Sequence, residues 1–138
     1  MITKEEILEV NKIYYKAFEN FDLESMSQIW VNADDVVCIH PGWDVLLGWD
    51  KVKQSWQKIF SEQTLLKFTI RNPKILILDS IGIITCTEEI FISSTSAITQ
   101  TFFATTNMYR KTQSGVKMFY HHSSAILVNE RNLTITYH

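Results

Sequence analysis

Apolar and polar positions along this chain follow two periods, and the change between them falls near residue 65. Before it, Ile7, Val10, Tyr14, Ala17, Phe18 and Phe21 recur at three- and four-residue steps, the spacing of a helix with one buried face. Thr3, with Glu6 three residues later, predicts a capping box at its start. Asp22 is placed to cap a second, shorter helix whose Leu23, Met26, Ile29 and Trp30 share a face, and "NADD" ends it. An apolar strand from Asp35 to His40 and a loop over 41–49 come next. Val52, Trp56, Ile59 and Phe60 then predict a third helix, with Asp50 as its cap.

From Leu65 onward Val, Ile, Thr and Phe dominate and alternation replaces the helical period. Strands are expected near 65–78, 82–93, 98–111 and 116–128, with Pro73 forcing a bulge or an edge position in the first. The short connections "LDSIG", "SSTSA" and "KTQSG" make consecutive strands antiparallel neighbours. The tail "NERNLTITYH" either extends the last strand or frays. Helices followed by a long-stranded sheet define a single α+β domain over 1–138, with a core of about 5–128. Its helices cover one face of a strongly twisted antiparallel sheet, which curls into a cone around a cavity.

Composition narrows the function. Four Trp, five Tyr and eight Phe supply enough apolar surface for both a core and a lined pocket. A net charge of −2 without a basic stripe argues against nucleic acid and anionic membrane as partners. The most apolar run, "ILILDSIGIITC", is too short and too interrupted to span a bilayer. The N-terminal "MITKEEILEV" lacks the apolar core of a secretory signal. Cys38 and Cys86 read as buried free thiols, so the expected compartment is the reducing cytoplasm.

The strand alternation then isolates candidate chemistry. On 82–93, Glu88 shares a row with Ile84, Cys86, Ile90 and Ile92, while Glu89 falls among threonines able to face water. A carboxylate on an apolar row must pair, take a proton or reach a wet cavity. On the last strand His122 shares a row with Met118, Tyr120 and Ser124, and His121 with Phe119, Ser123 and Ala125. Both rows are mixed, and His122 is taken as the cavity residue. His40, in a row with Val36 and Cys38, ends the first strand, where Pro41 and Gly42 turn the chain. Two imidazoles and a carboxylate beside aromatic walls suit proton transfer or activation of water. Tyr14, Trp30, Trp43 and Trp56 are candidate pocket walls. No dense metal-ligand motif, nucleophile elbow or glycine-rich phosphate loop is present, so neither a metal nor another cofactor is expected.

Three blocks in combination, "FENFDLESMSQIW", "VVCIHPGWDVLLGWDKVKQSWQKIF" and "FFATTNMYRKTQSGVKMFYHHSSAIL", resemble the SnoaL-like branch of the nuclear transport factor 2-like superfamily, which includes ketosteroid isomerase and scytalone dehydratase. The resemblance covers about residues 5 to 127. It implies a cone of three helices on a curved sheet and a homodimer built through the outer sheet face. It also implies that His40, Trp43, Asn107 and the His121–His122 pair line or border the pocket. The acidic bases of the enzyme relatives match no position here, and Val116 follows Gly115 where the subgroup tends to carry tryptophan. Two readings follow. One is cofactor-free acid–base chemistry (dehydration, isomerisation or hydrolysis) on a small apolar ligand. There one imidazole takes a proton, Glu88 orients it or stabilises the imidazolium, and Asn107 donates to a developing oxyanion. The other is a non-catalytic dimeric ligand-binding or protein-interaction module.

Overall fold

The computed structural model describes residues 1–129 and 134–136. Helix α1 (Lys4–Glu19) starts at the expected capping box: Thr3 N–H donates to Glu6 at 2.9 Å and Glu6 N–H donates to the Thr3 hydroxyl at 3.1 Å. Helix α2 (Leu23–Ile29) is capped by Asp22, which accepts from the Ser25 amide at 3.0 Å. The third helix, α3 (Trp49–Ser61), departs from expectation at its start, because Asp50 lies inside the first turn and Gly48 is the cap. Gly48 holds φ at +87° and donates its N–H to Val36 at 2.8 Å, while Trp49 N–H reaches Ala33 at 3.0 Å. Glycine adopts that left-handed geometry without a Cβ penalty, so backbone bonds replace a side-chain cap there.

The six strands of the main sheet are β1 (Val37–Ile39), β2 (Leu46–Leu47), β3 (Leu65–Leu78), β4 (Ile81–Ser93), β5 (Ile98–Thr112) and β6 (Gly115–Ala125). Their order is β2-β1-β6-β5-β4-β3. The four long strands form antiparallel neighbours in sequence order, as the short turns require. The first strand adds a parallel joint instead, with Cys38 beside His121 and Ile39 beside His122. The sheet is therefore mixed, curled but not closed. Pro73 meets both expectations: β3 is an edge strand, and its register slips between Arg71 and Lys74. The tail begins a separate hairpin, β7 (Leu127–Asn129) with β8 (Thr134–Thr136), so it does not prolong β6. Residues 130–133 and 137–138 lie outside the described residues.

A second slip decides which side chains face inward. Met108 pairs with Tyr120 but Tyr109 pairs with Met118, leaving Phe119 as an extra residue on β6. Such a bulge shifts the alternation by one. Met118 is buried before it, and His121 and Ser123 are buried after it.

The core lies between the helices and the inner sheet face. It joins Ile7, Tyr14 and Ala17 of α1 to Val52, Trp56 and Phe60 of α3 and to Ile84, Tyr109 and Met118 of the sheet. Gly82 lets α1 sit down on β4, since a Cβ there would collide with the Ile7 side chain. Cys38 and Cys86 are buried free thiols. No helix among the described residues is long and apolar enough to cross a membrane.

Candidate functional site

The inner sheet face carries a row of polar groups where apolar ones would be cheaper. Strand β4 brings in Glu88, β5 brings Thr105 and Asn107, and β6 brings His121 and Ser123. Helix α1 meets them with Asn11, Tyr14 and Tyr15, which occupy its buried face beside Ile7 and Ala17. A carboxylate in such a place needs partners, and Glu88 has them. Tyr15 donates to Oε2 at 2.5 Å and Ser123 to Oε1 at 3.2 Å, with Thr105 bonded behind Ser123 at 2.9 Å. Burial still dominates and raises the Glu88 pKa to about 6, against the lowering pull of Tyr15, Ser123 and Thr105.

His121 is wired into the same network. Its Nδ1 lies 2.6 Å from Asn107 Oδ1 and its Nε2 lies 3.4 Å from the Tyr14 hydroxyl. Asn107 Nδ2 donates to Asn11 Oδ1 at 2.9 Å and to the Tyr15 oxygen at 3.2 Å, while Tyr109 donates to Asn11 Oδ1 at 2.6 Å. On the other side, His40 Nε2 meets Ser55 Oγ of α3 at 2.9 Å, and its ring stands edge-on to Trp43 and Trp56. The two imidazole centroids are 6.2 Å apart. Burial lowers His40 to about 4. It also lowers His121 to about 3, with further pressure from His40 and His122. Both rings are therefore neutral at physiological pH.

These groups border a cavity of about 160 Å³. Its walls include His40, Trp43, Glu88, His121 and Ser123 among Phe18, Ile59, Phe68 and Ile90. His40 and Glu88 thus face one space, as the strand rows predict. His122 does not share it. The bulge at Phe119 turns it to the outer face, where it is exposed beside Thr85, Thr106 and Ser124. His121 takes the interior place. Asn107 stands behind the wall, and both of its amide hydrogens are committed, so it has none left for an oxyanion. Tyr14 and Trp56 back the wall without lining it, Trp56 lying 4.8 Å from the His40 ring. Trp30 packs against Trp49 in the core, away from the cavity, leaving only Trp43 of the four aromatic candidates in the lining. Glu89 is not a wet residue either: it is buried on the opposite side, held by Arg71 at 2.8 Å and Gln100 at 2.6 Å.

Tyr15, Ser123, Ser55, Asn11 and Tyr109 belong to the site although sequence reasoning passed over them. Asn11 left a signal, since it falls on the helical stripe through Ile7 and Tyr14, where a buried amide calls for a partner. Among the described residues, no group of three or more His, Cys, Asp or Glu is placed to hold a metal ion.

Three helices on a curled mixed sheet, with polar groups turned into the hollow, define an NTF2-like fold. The match of residues 7–128 to the SnoaL-like domain model places the chain in that family. Among solved structures, it is similar to a dehydratase candidate of the NTF2-like family from Streptomyces avermitilis. That comparison gives a TM-score of 0.84 and 27% identity over 90% of this chain and 97% of the other. It is also similar to a candidate calcium/calmodulin-dependent protein kinase II association domain from Thiobacillus denitrificans. The TM-score there is 0.72, with 25% identity over 86% and 93% of the two chains. By sequence it is 25% identical over 133 residues to the F-box protein SKIP8 of Arabidopsis thaliana, covering 96% of this chain and 55% of SKIP8. The chain thus spans about half the length of that curated relative.

Proposed function

We propose that the domain binds a small, mostly apolar molecule in the cavity and exchanges a proton with it through Glu88, without a cofactor. One observation carries the reading: Glu88, 3% exposed, lines the cavity with a pKa raised to about 6. A base poised near the working pH combines a populated basic form with useful proton affinity. The roles differ from those read in the sequence. Both imidazoles are too weakly basic to serve as the proton acceptor, so Glu88 takes that part and His121 and His40 orient the ligand. Asn107 and Tyr15 are positioning residues. Among acid–base reactions of the dehydration, isomerisation or hydrolysis type, likeness to the Streptomyces dehydratase candidate favours dehydration.

The domain acts as a homodimer through the outer sheet face, in the cytoplasm. Self-association is supported by the likeness to a kinase association domain, and by the exposure of Leu76 and Leu78 on β3 and Ile98 on β5. That likeness also supports a second reading, a dimeric module in which the polar network only satisfies itself.

Native mass spectrometry of freshly purified protein tests both. The expected result is a dimer that carries a small molecule, or takes one up from a metabolite extract, and loses it in Ile90→Phe, which fills the cavity. A dimer that holds no small molecule under either condition overturns the ligand reading and leaves the module.

A further inference from the structure

The hydrogen-bonding inventory of the cavity selects a class of ligand. Ser55 Oγ donates to Val52 O at 2.6 Å, which uses its single hydrogen. It must therefore accept from His40 Nε2–H at 2.9 Å, and His40 Nδ1 keeps a bare lone pair. Among the described residues its one hydrogen-bond contact is with Cys38 Sγ at 3.9 Å, and that sulfur lies nearer Nε2, at 3.5 Å. Asn107 is oriented by Asn11, whose Oδ1 already accepts from Tyr109, so the carbonyl of Asn107 faces His121 and takes the Nδ1 hydrogen. His121 Nε2 is then also an acceptor, met only by the Tyr14 hydroxyl at 3.4 Å. Ser123 spends its hydrogen on Glu88.

Of the five polar side chains that line the cavity, only Trp43, at 37% exposure, has an uncommitted hydrogen to offer. Acceptors remain in supply: His40 Nδ1 and what Tyr15, Ser123 and Thr105 leave open on the Glu88 carboxylate. Glu88 is the one charged side chain in the lining, and no Lys or Arg faces it there. The other walls are Phe18, Pro41, Ile59, Phe68 and Ile90. At about 160 Å³ the space equals roughly five waters at about 30 Å³ each.

We infer that the cavity takes a small neutral molecule with an apolar body and a hydroxyl donor aimed at Glu88 and His40, and that it rejects carboxylates. This deepens, and rests on, the ligand-binding reading above. A site built to accept from a ligand hydroxyl discriminates against the analogue that lacks it, because its buried acceptors are then left unpaired. A carboxylate would bring a second desolvated negative charge beside Glu88.

Benzyl alcohol, toluene and benzoate separate these terms, since they share a ring and differ at one substituent. Their binding to the full chain at pH 8 is read from the methyl NMR signals of Ile59 and Ile90. Benzyl alcohol is expected to bind at least tenfold more tightly than toluene, with no measurable benzoate binding. In Glu88→Gln, which removes the charge and supplies an amide donor, benzoate binding is expected to become measurable. Wild type at pH 5, where Glu88 is protonated and both histidines remain neutral, repeats that comparison without a substitution, and benzoate is expected to gain there too. Toluene binding as well as benzyl alcohol, or benzoate binding tightest at pH 8, overturns the inference and leaves the pocket standing. If none of the three moves either methyl signal, the ligand-binding reading falls and takes this inference with it.

Discussion

Tyr15 on α1 sets its hydroxyl 2.5 Å from Oε2 of Glu88 on β4, joining the helix layer to the sheet through a hydrogen bond to a buried carboxylate. The partners are 73 residues apart in sequence, so the bond forms only when the domain closes. Hydrogen bonds to charged groups contribute about 1.5–3 kcal/mol. Tyr15→Phe, which removes only the hydroxyl, is therefore expected to cost about 2 kcal/mol in urea denaturation at pH 7.5. A loss within about 0.5 kcal/mol, the usual range for an inconsequential surface change, would show that the bond is not a working part of the fold.

The two adjacent histidines should behave as different kinds of residue. His121→Ala leaves Asn107 Oδ1 and the Tyr14 hydroxyl without partners inside the core, at about 1–3 kcal/mol each. His122→Ala, on the exposed outer face, should fall within about 0.5 kcal/mol of wild type. Equal effects in thermal unfolding, or a reversed order, would contradict the placement of the bulge at Phe119.

Stability should rise with pH between about 4.5 and 6. Glu88, raised from an ordinary 4.5 to about 6, holds its proton longer in the folded state, so its contribution falls as pH rises through that window. His40 and His121, lowered from an ordinary 6.5 to about 4 and about 3, hold fewer protons when folded and contribute the opposite slope. Each group changes stability by up to about 1.4 kcal/mol per pH unit. Two histidines outweigh one carboxylate, giving a net gain of about 2 kcal/mol across the window. Glu88→Gln removes the opposing contribution, so its slope should roughly double. Chemical denaturation at half-unit pH steps reads both slopes, and a wild-type slope of opposite sign would contradict the assigned shifts.

Gly82→Ala tests how closely α1 lies on the sheet. The new methyl group would lie well inside van der Waals contact of the Ile7 side chain. Overpacking of this kind costs about 1–3 kcal/mol. Pairing the change with Ile7→Val should recover part of the loss, because valine lacks Cδ1, the nearest atom, while keeping the γ carbon at 2.6 Å. Thermal denaturation of the single and double variants checks both statements, and no recovery in the pair would point to another cause.

Much of the fold was legible because its signals are local. The Thr3–Glu6 box, the Asp22 cap and the α1 stripe depend on residues within a turn or two of one another, and the structure repeats them. The four long strands were legible from alternation and short turns. The parallel joint of β1 to β6 was not, because it pairs Cys38 with His121 across most of the chain. His122 was misplaced for a similar reason. Alternation carries a row of side chains only as far as the first bulge, and no glycine or proline announces the one at Phe119. Glu88 and His40 were found because each is a polar residue on an otherwise apolar row. Tyr15 and Ser55 were hidden because tyrosine fits an apolar stripe and serine fits a helix surface. Only the partner across the cavity gives either one a role.

The proposed chemistry requires Glu88 to be a buried, cavity-facing carboxyl that gains and loses a proton near neutrality. Titration of its side-chain carboxyl carbon by NMR, assigned by its loss in Glu88→Gln, measures this directly. A midpoint near 6 is expected. A midpoint at the ordinary value near 4.5 would contradict it.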